Sequence, residues 1–157
     1  IRGLIDGGVD MILVETAMDA KNVTIAIEEC RKVDENIPIL VSAVLSRIEG
    51  RVASGATFAK FFGDIPMERV SMVGFNCSNG VKPLESALKH LREVTDKPVI
   101  VYPSAGEPRV ATNHFAKAIE QLCRASQVNI IGGCCGTTPE YIAQLKRVAE
   151  RWRPKRV

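Results

Sequence analysis

Apolar residues fall into short dense runs, separated by segments in which they recur every three or four positions. The runs cover 9–14, 38–44, 70–75, 98–102 and 128–131, each of strand length. The intervening segments predict helices. Val23, Ala26, Ile27, Cys30 and Val33 mark the first, and Phe58, Phe61 and Phe62 a short second one after a polar loop to Gly55. Leu84, Ala87, Leu88 and Leu91 mark a third, with Pro83 at its first turn, where a missing N–H costs nothing. Phe115, Ala118, Ile119, Leu122 and Cys123 define a fourth, and Ile142, Leu145, Ala149 and Trp152 a fifth, capped by Thr138-Pro139. Leu4-Ile5-Asp6 reads as the tail of an earlier helix, stopped by Gly7-Gly8.

Strands that are apolar throughout, alternating with amphipathic helices, imply an α/β protein with a parallel sheet covered by helices. The strands begin at about thirty-residue intervals, and that even rhythm fits a (β/α)8 TIM barrel better than an open sheet. An open nucleotide-binding sheet would carry a glycine fingerprint after its first strand. Glu15-Thr16-Ala17 stands there instead, and no phosphate-cradling loop occurs elsewhere.

Composition narrows the class. Hydrophobic residues make up 46% and charged residues 25% of 157, the mix of a globular domain with a real core. The net charge of +3 is interspersed, and the cluster Arg151, Arg153, Lys155, Arg156 lacks the aromatic interleaving of a nucleic-acid surface. It reads as a basic tail or linker over 151–157. No apolar run approaches the ~20 residues of a membrane span. Ile1-Arg2-Gly3-Leu4 is neither a signal peptide nor an initiating methionine and reads as a cut inside a domain. Five cysteines without a disulfide-framework spacing point to a reducing, cytoplasmic setting and to metal or catalytic use.

The residues that carry chemistry gather where strands give way to loops. Glu15, Asn76-Cys77, Tyr102 and Cys134-Cys135 all stand at such ends, which a barrel collects on one face. Cys134 and Cys135 lie in Gly132-Gly133-Cys134-Cys135-Gly136-Thr137-Thr138-Pro139. In a regular strand adjacent side chains face opposite sides, and the flanking glycines lift that restriction. The plainer reading is two small buried residues at a tight turn. Cys30 and Cys123, on apolar helix faces, are core positions. Three thiols converging at a barrel mouth suit zinc, which takes tetrahedral sulfur ligands and in catalytic sites keeps one position open. His90 and His114 belong to other helices and leave that position free. A metal held by three thiolates is a poor Lewis acid for carbonyls but keeps a substrate thiol ionised, which points to a thiol alkylated on the metal. A redox dithiol is the weaker alternative, because Cys134 and Cys135 are adjacent rather than spaced C-x-x-C.

Gly74-Phe75-Asn76-Cys77 together with the eight-residue cysteine-pair motif resembles the zinc-dependent homocysteine S-methyltransferases. Val14-Glu15-Thr16, Ser54-Gly55 and Pro103-Ser104-Ala105-Gly106 match that family more weakly, and Ser104 stands where many relatives have asparagine. The family includes the homocysteine module of cobalamin-dependent methionine synthase and betaine–homocysteine methyltransferase. The resemblance implies that this chain is the last five βα units of the barrel, over 1–150. It implies that Cys77, Cys134 and Cys135 hold Zn2+, with homocysteine sulfur as fourth ligand. Glu15 would take the substrate's ammonium group, a role its charge and position allow; the structural alternative is a carboxylate paired with a basic neighbour. Asn76 either orients a ligand cysteine or caps its loop.

The implied reaction is methyl transfer to homocysteine, giving methionine, from a donor of the methylcobalamin, betaine or S-methylmethionine type. Implied partners are the preceding βα units and a following folate or cobalamin module. The rival reading is a non-catalytic zinc-binding fragment that needs the missing units for activity.

Overall fold

Five parallel strands stand in chain order, β1-β2-β3-β4-β5, in this computed structural model, which describes residues 1–78, 80–125 and 127–154. The element order is α1 (Arg2–Asp6), β1 (Ile12–Ala17), α2 (Ala20–Val33), β2 (Ile39–Val44), α3 (Phe58–Gly63), a 3-10 turn (Met67–Arg69), β3 (Met72–Cys77), α4 (Leu84–Arg92), β4 (Val99–Pro103), α5 (Thr112–Arg124), β5 (Ile130–Ile131) and α6 (Pro139–Arg151). Lys155 and Arg156 of the expected tail lie outside the described residues.

Period-two alternation splits the strands between two cores. Ile39, Val41 and Ala43 of β2, Val73 and Phe75 of β3, and Val99 and Val101 of β4 join the helix residues Val23, Ile27, Phe61, Leu88, Phe115 and Ile119 in one large cluster. The alternate residues Leu40, Ile100 and Tyr102 form a second cluster on the opposite face, with Met72 and Cys134 packed against it and no helix residue among them. One face of the sheet is therefore covered by helices and the other is free of them. That is the layering of a barrel wall. Within the described residues the sheet is open, with β1 and β5 at its edges. On those edges Leu13 is 38% and Ile130 37% exposed.

The helices start largely where their caps allow. Asp19 accepts from the Asn22 N–H at 3.0 Å and Thr57 from the Lys60 N–H at 3.2 Å, each satisfying a first-turn donor. Pro83 is the residue before α4 rather than within it. Thr138 does precede α6 and Pro139 opens it, but the Thr138 hydroxyl donates to the Glu140 carboxylate and caps no backbone group.

The buried face of α6 differs from the expected one. Tyr141, Leu145 and Val148 are buried, while Ile142 is 47% exposed and Ala149 is on the surface. Tyr141 wins that position because its ring packs edge-on against Phe115 at 5.3 Å and its hydroxyl donates to the Val110 carbonyl. Trp152 closes the helix on α5, donating to Glu120 at 3.0 Å with the Arg124 guanidinium over its ring at 5.3 Å.

β1 is also shifted from 9–14. Its pairing with β2 runs from Ile12–Ile39 to Ala17–Ala43, and between Val14–Val41 and Ala17–Ala43 it holds one residue more than its partner. Glu15 and Thr16 form this bulge, with Thr16 at φ 56°. Glu15 therefore sits on an irregularity inside the strand rather than beyond its end.

Candidate metal centre

β3 ends by turning left-handed. Cys77 at φ 52° and Ser78 at φ 58° adopt a conformation that side chains other than glycine rarely hold. Ser78 fixes the turn, its hydroxyl accepting from the Leu45 N–H at 3.1 Å and donating to the Asn76 carbonyl at 2.9 Å. β5 loses regular form after Ile131, yet its continuation stays tied to the end of β4. Gly132 N–H donates to Val101, Cys134 N–H to Pro103, and Ala105 N–H returns a bond to Cys135, all at 2.8–2.9 Å. The chain then folds back on itself, Thr137 donating through its hydroxyl to the Cys134 carbonyl at 2.6 Å. A Cβ at Gly133 would meet the Thr137 side chain at 2.7 Å, so the tight return needs glycine there.

These turns bring three thiols together from two strand ends. The Sγ atoms of Cys77 and Cys134 are 3.0 Å apart, Cys77 and Cys135 3.7 Å, and Cys134 and Cys135 3.8 Å. A tetrahedral zinc with ~2.3 Å bonds sets its sulfurs roughly 3.8 Å apart. Two edges of the triangle already have that length, and the third needs a small opening. The donor set fits the ion. All three are free thiols, and no other cluster of this kind occurs among the described residues.

Proton affinities within the triangle are unequal. Burial, reinforced by hydrogen bonds to Cys134 and Cys135, pushes the Cys77 thiol up to about 12. Burial works against ionisation of Cys134 as well, but hydrogen bonds from Cys77 and Cys135, side chain and backbone, outweigh it and lower its pKa. Cys134 is thus the first of the two to become a thiolate.

Around the triangle lies a polar network within the helix-free face. Asn76, 1% exposed, accepts through Oδ1 from the Ser42 hydroxyl at 2.8 Å and the Thr16 N–H at 3.2 Å, and donates through Nδ2 to the Thr16 hydroxyl at 2.8 Å. It stitches the β1 bulge and β2 to β3 one residue before Cys77. Glu15, on the bulge, is exposed, and no ion pair engages it among the described residues. The Tyr102 phenol is 7% exposed and raised in pKa, by burial first, with the Ser42 hydroxyl working against that shift and the Glu15 side chain and the charge of Cys134 adding to it. Glu15 and Cys134 thus both act on the Tyr102 phenol.

Ser42, Thr16 and the bonding of Asn76 escaped the sequence reading. A single serine inside an apolar run gives no signal of its own, and only the register places it opposite Gly74 and beside Asn76. His90 is spent on the Ser86 carbonyl at 2.9 Å and His114 is on the surface, while Cys30 and Cys123 are buried in the helix-side core. Beside Cys77 and Cys135 opens a cavity of about 420 Å3 lined also by Ser104, Glu107 and Arg109. A larger cleft of about 680 Å3, lined by Val81, Val110 and Phe115, contains no thiol.

A parallel α/β sheet that gathers three thiols from two strand ends, with a carboxylate on the β1 bulge, defines a thiol site on its helix-free face. The family model for homocysteine S-methyltransferase matches residues 1–149, and the chain belongs to that family. Two solved structures are similar to it, both of the homocysteine methyltransferase MmuM from Escherichia coli. The oxidised form superposes with a TM-score of 0.77 at 28% identity, covering 92% of this chain and 47% of that one. The metallated form gives 0.73 at 28% identity, covering 92% and 46%. The chain thus spans about half the length of these relatives.

Proposed function

We propose that this chain is the thiol-bearing half of a (β/α)8 barrel that transfers a methyl group to the sulfur of homocysteine. The observation that carries the reading is the triangle of Cys77, Cys134 and Cys135, whose edges suit one tetrahedral zinc. Membership of the family and the metallated state of a similar structure support the same assignment.

Zinc, when bound, supplies the positive charge that keeps a thiol ionised at neutral pH. Cys77, Cys134 and Cys135 would hold the ion, which would supply the charge that keeps the substrate thiol ionised. Glu15 binds the substrate's ammonium group and so fixes the direction of its side chain. Asn76 keeps the Glu15 bulge and the Cys77 turn in one rigid unit. The substrate sulfur then forms a bond to the donor methyl carbon as the bond between that carbon and the donor breaks, the electron pair leaving with the donor. No side chain has to take a proton during that step, which agrees with the absence of histidine from the thiol cluster.

The methyl donor in this reading belongs to the methylcobalamin, betaine or S-methylmethionine class. The two open sheet edges support a further clause: these residues need further βα units for turnover. The test is methyl transfer to homocysteine by the completed, zinc-loaded barrel, compared with the same protein carrying Cys77→Ala. Transfer that survives the substitution refutes the reading.

A further inference from the structure

Tyr102 is the buried side chain on the helix-free face whose polar atom has no partner. Its phenol oxygen is buried and no group meets it in hydrogen-bond geometry, although the Ser42 and Glu15 side chains act on it and the residue packs with Leu40, Ile100 and Cys134. A hydroxyl left this way costs free energy, so its retention calls for a ligand that completes it. Its surroundings specify which kind. Ser42 has already given its proton to Asn76 at 2.8 Å and has only lone pairs left. Asn76 is filled by Ser42 and Thr16. Glu15 and Cys134, whose charges reach the phenol, offer acceptors. The polar groups around Tyr102 are therefore rich in acceptors and poor in donors, a setting for a cation and a hostile one for a carboxylate.

We propose that Tyr102 is a second anchor, beside Glu15, for the ammonium group of the thiol amino acid. Its oxygen accepts one ammonium N–H while its own proton turns to the free lone pair of Ser42. The resulting chain runs ammonium to Tyr102, Tyr102 to Ser42, Ser42 to Asn76, and ends one residue from Cys77. This rests on the homocysteine reading above and deepens it, because it makes recognition of the amino end a property of β1, β2, β3 and β4 together.

The test uses the zinc-loaded complete barrel and three thiols: homocysteine, 3-aminopropane-1-thiol, which keeps only the ammonium, and 4-mercaptobutanoate, which keeps only the carboxylate. Kd values are measured by calorimetry for wild type and Tyr102→Phe. Loss of the phenol should weaken homocysteine and 3-aminopropane-1-thiol by roughly tenfold and leave 4-mercaptobutanoate unchanged. The ligand-free variant should melt no lower than wild type, since the deleted oxygen has no partner to lose. Equal weakening of all three thiols, weakening of 4-mercaptobutanoate alone, or no change in any of them overturns the proposal while leaving the homocysteine reading intact. A wild-type protein that binds none of the three overturns both.

Discussion

Cys77 holds two unfavourable conditions at once, a left-handed backbone and a thiol that keeps its proton up to about 12. Zinc binding at neutral pH must expel that proton. Because removal is easier as pH rises, the zinc Kd should tighten at least tenfold per unit between about pH 6 and 8; a Kd flat over that range would mean the ligands are already ionised. Cys77→Ala, Cys134→Ala and Cys135→Ala should each abolish tight zinc binding by metal analysis. Cys30→Ala and Cys123→Ala should retain the metal, because both thiols are buried in the helix-side core. Glu15→Gln keeps volume and removes charge, so zinc should stay while homocysteine weakens by about tenfold or more. An unchanged Kd would return Glu15 to a structural role. The convergence of the three thiols was legible because a cysteine pair between glycines, and a further cysteine at a strand end, are chemically conspicuous. Tyr102 stood out only as one more polar residue at a strand end, since nothing in a sequence marks an unpaired hydroxyl.

Among the elements, β3 carries the most specific requirements. A Cβ at Gly74 would fall 1.7 Å from the Ile100 carbonyl oxygen on β4, a backbone atom that cannot move aside. Gly74→Ala should therefore part β3 from β4 and abolish cooperative unfolding monitored by circular dichroism. Asn76→Ala leaves the Ser42 hydroxyl and the Thr16 N–H without their acceptor, at a cost of about 2–3 kcal/mol in denaturant titration. It should also weaken homocysteine more than zinc, because the bulge that carries Glu15 is what it releases. The strand and helix pattern was readable from apolar spacing alone, down to the buried Leu84, Leu88 and Leu91 of α4. The β1 bulge was not, because one inserted residue leaves the hydrophobic run unbroken. The face of α6 was misread because the Ile142 and Tyr141 series both satisfy helical spacing, and only the contact with Phe115 chooses between them.

At the scale of the molecule, the open sheet leaves Leu13 and Ile130 on edges whose backbone groups lack a neighbouring strand. The chain by itself should oligomerise or aggregate, and co-expression with βα units able to pair with both edges should give a compact 1:1 particle by light scattering. A sharp monomer peak with a cooperative melt and methyl transfer would contradict that expectation. The placement of the thiols has another consequence. Cys77 and Cys134 are 57 positions apart in sequence, with all of α4, β4 and α5 between them. An ion gripping both would work as a removable rivet through the wall, favouring the folded chain because the unfolded one does not bring the two thiols together. Free metal at 100 times its Kd would add about 2.7 kcal/mol to the folded state. Removing such an ion by chelation would therefore loosen the sheet as well as empty the site, and a melt of the complete protein with and without chelator reads that coupling directly.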